Sequence, residues 1–280
     1  IVLAVTGLGA VASVLSNIAG AVVVFVLLVF VLPTPDGIDR GSVVVRNLAV
    51  GSGYLLLSLV VGAVLGLRRT VSVLRWLRDE REPDDEERTA SLGMAFSVTM
   101  RQARYWLLAV VVFTALNAPV SWVLGIEVAL TVLMGGTVTA AGTYLLYQRV
   151  ARPAVARALE SEPPGKFRVP GVTLRIFLIW ALGTAIPVAG VALLAGGALV
   201  VGGVSATELA VASLVLALIA LAAGFTTMMV FARSLADPLR GMREAVRAIE
   251  EGDLDAGVPV YDASEVGFLQ AGINRMAAGL

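Results

Sequence analysis

The sequence predicts an all-α fold. A polytopic bundle of six transmembrane helices, readable as three helical hairpins, is followed by a helix–connector–helix unit that closes a parallel four-helix bundle in a dimer. Three observations predict it. Apolar residues make up 58% of the chain and charged residues only 15%, against about 25% charge in an ordinary soluble domain. The apolar excess falls into charge-free blocks of roughly 20 residues, the length that crosses a hydrocarbon core of about 30 Å. After the last block the apolar residues change to a heptad-like spacing on two short polar helices.

The elements follow in order. The first block, 1–32, is too long for one perpendicular helix, because 32 residues rise about 48 Å. The crossing is expected at 16–32, with 1–15 an apolar lead-in at the inner interface. Pro33, Pro35 and Gly37 then break the helix. The second span is 48–67, ended by Arg68 and Arg69; Val71, Leu74 and Leu77 at three-residue spacing carry it on into the cytosol. The mixed charges from Arg78 to Arg88 read as a solvated loop apex. The third span is 105–124, a tight turn is expected at Gly125, Ile126 and Glu127, and the fourth is 128–147. The fifth is 176–199, and a Gly202-Gly203 turn precedes the sixth at 209–231. Val98-Thr99-Met100-Arg101 and Val172-Thr173-Leu174-Arg175 each precede a span, which suggests repeated hairpins; chance likeness among apolar helices accounts for it equally well.

Charge sets the expected orientation. Of 21 basic residues, eight lie from Arg68 to Arg104, six from Arg149 to Arg175 and five from Arg233 onward. Under the positive-inside rule these segments are cytoplasmic, so both ends of the chain and the helix–connector–helix unit are expected inside a multi-pass protein of the plasma membrane. The outer connections are too short for an extracytoplasmic sensor domain. No Asp, Glu, Lys, Arg or His sits inside the six expected cores; Glu127 and Glu208 fall at outer ends. Pumps and proton-coupled carriers place such groups at mid-membrane, so transport is disfavoured. Asn17 and Asn117 read as interhelical hydrogen-bonding residues, and Gly62, Gly66, Gly135, Gly136, Thr139 and Gly142 as close-packing positions. Net charge is zero, which gives no basic bias toward nucleic acid; cysteine and histidine are absent. Arg101, Arg104, Arg175 and Arg233 border spans at the inner surface. They read as topology anchors against anionic headgroups or, more sharply, as contacts for a lipid or fatty acid.

The last segment, 233–280, is a relay. Pro238 stands where a first helical turn tolerates it. Leu235, Leu239, Met242, Val246 and Ile249 run at spacings of four and three, an a/d seam. Gly252 suits a helix C-cap, Leu254, Val258 and Val260 are apolar residues of a connector, and Ser264 suits an N-cap ahead of Glu265. A second seam follows at Val266, Leu269, Ile273, Met276 and Leu280. Helices this short are unstable alone. Two from each of two subunits satisfy the seam, so a homodimer is expected.

These residues resemble the HAMP linker. The likeness rests on Arg233…Pro238-Leu239, on Glu251-Gly252-Asp253-Leu254, and on Ser264-Glu265-Val266-Gly267-Phe268-Leu269 followed by Ile273-Asn274-Arg275-Met276. It implies a dimeric four-helix bundle that switches between packing states. Six spans with small outer connections ahead of such a linker are similar to the six-span, HAMP-containing class III adenylyl cyclases of mycobacteria and related actinobacteria. That resemblance implies a catalytic domain past Leu280; the chain also begins Ile1-Val2-Leu3 without a methionine, so it reads as a piece of a longer protein at both ends. The domain would form 3′,5′-cyclic AMP and diphosphate from ATP at a homodimer interface, with two Mg or Mn ions. No catalytic, cofactor-binding or metal-binding residue of that domain lies in these 280 residues. A six-span sensor histidine kinase and a non-enzymatic membrane receptor are the alternative readings.

Overall fold

The computed structural model describes residues 1–31, 37–159, 172–201, 206–253, 256–260 and 265–279. Every regular element among them is helical. The breaks expected at Pro33 and Pro35 and at Gly202-Gly203 lie outside the described residues.

Helix α1, Val2–Val26, continues through a π-helical stretch, Leu27–Val31. The apolar lead-in and the crossing expected within the first block are therefore one helix. Its buried face, Val5, Gly9, Ala12, Ser16, Asn17 and Gly20, explains the length, because a partner helix covers it from end to end. The π register frees backbone carbonyls, and Arg40 donates to one of them, that of Val29, at 2.8 Å. Helix α2, Arg40–Val73, starts at Asp39, whose carboxylate accepts from the backbone of Ser42 at 2.9 Å. Hydrogen bonds from Ser42 and Gly41 hold that carboxyl below its ordinary pKa.

Two short helices follow, α3, Arg75–Arg78, and α4, Asp85–Leu92. The charged run between them is therefore partly ordered rather than a bare loop apex. Asp84 and Glu87 form a reciprocal capping box, and Arg81 donates to Glu87 at 2.7 Å. That contact, first among several, lowers the Glu87 pKa. Arg88 is buried and donates through Nε to the carbonyl of Ala158 at 3.0 Å, while Trp76 donates to Ser91 at 3.2 Å. The small α3–α4 layer is thus fastened to the bundle by buried polar contacts.

Helices α5, Met94–Asn117, and α6, Trp122–Ala158, form an antiparallel hairpin. The turn is at Ala118–Ser121, not at Gly125–Glu127 as the hydropathy suggested. Pro119 cannot continue a helix, Ser121 takes the N-cap position, and Gly125 lies inside α6, where a Cβ would meet Ala118 at 3.0 Å. Glu127 is accordingly a helix residue, only 3% exposed, with neither carboxyl oxygen hydrogen-bonded among the described residues.

Helix α7, Val172–Trp180, passes through a π-helical stretch, Ala181–Ala185, into α8, Ile186–Val201. Pro187 supplies the reason, since it offers no N–H to the preceding turn. Helix α9 runs unbroken for 45 residues, Ala206–Glu250, and α10 spans Glu265–Gly279. Among the described residues, five stretches are long and apolar enough to cross a membrane: Val2–Val31, Arg40–Val73, Trp122–Ala158, Ile176–Val200 and Leu209–Thr226. Helix α5 falls short by composition because Arg101, Gln102 and Arg104 precede its apolar run. It nevertheless lies along α6, with Trp106 against Gly136 and Val98 clustered with Tyr144 and Tyr147. It therefore traverses the same thickness as its partner.

Among the described residues, three apolar clusters hold the bundle. At the arginine-rich end Val5, Leu74, Leu92, Val98, Tyr144 and Leu159 join α1, α2, α4, α5 and α6. Toward the other end Leu28, Val43, Phe113, Leu124 and Val128 pack together. Leu27, Met134, Leu194, Ala212 and Leu216 bring α8 and α9 onto α1 and α6. The α1–α6 contact is set by glycine: a Cβ on Gly135 would lie 2.7 Å from the carbonyl oxygen of Gly20. Thr139 adds a bond to the carbonyl of Ser16 at 3.1 Å. Asn17 accepts from the indole of Trp106 at 3.1 Å, and Asn117 exchanges amide bonds with Asn47 while accepting from Arg46 at 2.9 Å. These are the interhelical bonds expected of both asparagines.

Candidate functional site

The relay begins inside the bundle. Because α9 is one helix from Ala206 to Glu250, the last membrane-crossing segment and the first relay helix move as one rod, about 68 Å long at 1.5 Å per residue. Pro238 is buried within this rod rather than opening a new helix. The rod ends on Gly252, whose φ of +97° only glycine adopts without strain. Asp253 donates its N–H to the carbonyl of Ala248 and Gly252 to that of Ile249, at 2.9 and 3.0 Å. This is the Schellman closure that the Glu-Gly-Asp sequence encodes.

The described connector residues, 256–260, belong to no regular element. Asn274 of α10 holds them in place. Its Oδ1 accepts from the N–H of Val258 at 2.8 Å, and its Nδ2 donates to the carbonyl of the same residue at 2.9 Å. This double bond seats Val258 among Met242 and Ala245, with Val266 and Ile273 packed around them. A buried peptide group that would otherwise lack partners is satisfied by one side chain.

The seam residues separate into two groups. Met242, Ile249 and Val258 are buried, and Val246, Val266 and Ile273 are half-buried. Leu239, Leu269 and Met276 stand out at 57%, 57% and 48% exposure. Val260 turns the other way and packs on the cluster around Leu74, Leu92 and Leu159. Glu265 opens α10 and is exposed. Leu254, Ser264 and Leu280 lie outside the described residues, as does the side chain of Leu235.

Sequence reasoning missed several contributors. Ala245 packs in the relay core, and Gly267, Gln270, Ala271 and Ala277 form the buried face of α10, offset from its expected seam. Neither polar atom of the Gln270 side chain is hydrogen-bonded among the described residues. Gly267 and Ala271, small residues four apart, carried the available signal, which a seam of large apolar side chains does not include. Of the four arginines read as surface contacts, Arg101 lies against Gly66 of α2, while Arg104 and Arg233 are exposed. The side chain of Arg175 lies outside the described residues.

A long rod, a glycine stop, a connector clamped by an amide and an exposed apolar edge can transmit a displacement. Comparison with known proteins agrees with this. The HAMP domain family matches residues 230–280, so the chain carries a HAMP domain behind membrane-spanning helices, as a membrane sensor would. The chain is similar to the uncharacterized protein Rv1318c of Mycobacterium tuberculosis strain H37Rv, 32% identical over 265 residues, which cover 95% of this chain and 49% of that protein. Rv1319c of the same organism, also uncharacterized, is 31% identical over 266 residues, covering 95% and 50%. The uncharacterized protein Mb1354c of Mycobacterium bovis is 30% identical over 276 residues, covering 99% and 48%. The chain thus spans about half the length of the curated relatives it matches. No solved structure matches it.

Proposed function

We propose that this chain is the membrane sensor and HAMP relay of an adenylyl cyclase that converts ATP to 3′,5′-cyclic AMP and diphosphate. The observation that carries the reading is the continuity of α9, which joins a bundle of membrane-spanning helices to a HAMP domain. The six-span class III cyclases have that layout, and the relatives extend well beyond the matched region. The catalytic domain, its ATP site and its two Mg or Mn ions would belong to that further part. Nothing in the described residues is assigned to them.

The protein works as a homodimer in the plasma membrane, with both ends of this chain on the cytoplasmic side. The crowding of arginine at one end of the bundle supports that orientation. Exposed Leu239, Leu269 and Met276 form the edge that a second copy covers. A shift of α9 repacks this edge, and α10 passes the change to the catalytic pair.

The test uses the full-length protein in detergent or nanodiscs, given Mn-ATP and then Mg-ATP. Cyclic AMP is the expected product. Transfer of the γ-phosphate to protein without cyclic AMP would replace the reading with the sensor kinase. Coprecipitation of a partner with no nucleotide turnover would replace it with the receptor.

A further inference from the structure

We infer that the arginine-rich half of the bundle binds one anionic phospholipid, whose headgroup phosphate sits on Arg101 in a cleft between α1, α2 and α5. The cleft measures about 80 Å³. It exists because α2 presents Gly62 and Gly66 there. A Cβ on Gly66 would lie 3.4 Å from Nη2 of Arg101, and one on Gly62 would lie 3.5 Å from the ring of Tyr105. Ser13 of α1 and Arg101, Gln102 and Tyr105 of α5 reach the cleft, and all four are half-buried. None of their side-chain polar atoms is hydrogen-bonded or ion-paired among the described residues. These atoms also keep open surface, in contrast to the sealed carboxyl oxygens of Glu127.

Charge identifies the headgroup. A guanidinium, an amide and two hydroxyls can all donate, and no Asp or Glu occurs anywhere in α1, α2 or α5. Water satisfies donors but does not neutralise a cation held at the edge of the hydrocarbon, where a lone charge is costly. An oxyanion does both. Donors from several side chains suit the several oxygens of a phosphate, which guanidinium also pairs in bidentate fashion. The cleft offers the space of about three waters at ~30 Å³ each, which suits a compact tetrahedral group. Continuity selects a lipid over free phosphate. Ser58 and Tyr105 line both this cleft and an apolar groove of about 320 Å³ that runs on between α1 and α2 and has no charged residue in its wall. An acyl chain lies in that groove while its phosphate stays on Arg101. A choline headgroup brings an ammonium that competes with Arg101 for the phosphate and finds no acidic partner, so the lipid carries net negative charge. The cytoplasmic leaflet supplies it, a clause that rests on the orientation proposed above.

The experiment reads lipid retention without nucleotide, so it succeeds or fails apart from the cyclase reading. Phosphatidylglycerol or phosphatidylcholine is titrated into the full-length protein in detergent, and native mass spectrometry counts the lipid retained. One phosphatidylglycerol per chain is expected, held about tenfold more tightly than phosphatidylcholine. Arg101→Gln removes the charge and should weaken retention about tenfold, as loss of one hydrogen bond to a charged group predicts. Arg101→Lys returns a charge and should restore most of the retention, which separates lost binding from lost folding. Arg104→Gln alters an exposed arginine three residues on and should change retention less than about twofold, because an exposed charge is screened. Equal retention of the two lipids would overturn the anionic site. Equal losses in Arg101→Gln and Arg104→Gln would overturn the cleft in favour of diffuse attraction to headgroups. Displacement of the bound lipid by equimolar inorganic phosphate would overturn the role of the acyl chain.

Discussion

Gly135 and Gly20 fix how near α1 comes to α6. The backbones meet so closely that no side chain fits between them, and in a bilayer such close packing replaces the hydrophobic drive available in water. Gly135→Val should therefore destabilise the bundle by about 1–3 kcal/mol through overpacking against rigid backbone, seen as a lower melting temperature in detergent. Gly53, with open space around it, should accept alanine with no such loss. Arg88 acts at a different kind of contact. It is buried and donates to the Ala158 carbonyl, at a site that is itself sealed from water. Arg88→Ala would leave that carbonyl without this donor and cost about 1–3 kcal/mol. The measurable consequence is earlier proteolysis of the α3–α4 layer than of the membrane helices.

At the scale of elements, apolar runs made the helices legible and the turns much less so. Hydropathy placed the third crossing through Leu124 because residues 120–124 are mostly apolar. The structure turns earlier, where Pro119 and the Ser121 cap outweigh hydropathy. The first block was divided on length alone. It is one helix because small residues along a single face let α6 cover it throughout. The relay was legible through its punctuation, since Gly252 occupies a backbone region that other residues avoid. The role of Asn274 was recognisable as a motif letter but not as a clamp, because its partner Val258 lies 16 residues away across an irregular connector. The clamp carries a prediction. Asn274→Ala should free both polar groups of Val258 and speed hydrogen exchange at its amide by about tenfold, for a loss of ~1.4 kcal/mol in local stability. Exchange within the membrane part of α9 should not change.

At the scale of the whole molecule, one continuous rod ties the membrane bundle to the HAMP domain, and the single chain leaves part of the seam uncovered. Leu239 on α9 and Leu269 and Met276 on α10 remain exposed while Met242 and Ile249 are buried. A helix pair with that edge gains by closing against a copy of itself. The central claim is that α9 and α10 pair in parallel with a second copy. Spin-label distances in the membrane-embedded protein test it most directly. The chain has no cysteine, so single sites are clean. Arg240→Cys and Arg275→Cys place labels on exposed positions beside the seam and leave the seam intact. Helices in contact lie about 8–10 Å apart, so a parallel dimer predicts strong dipolar coupling between copies at both sites. No coupling between copies at either site, or coupling at Arg240 with none at Arg275, would contradict the paired relay.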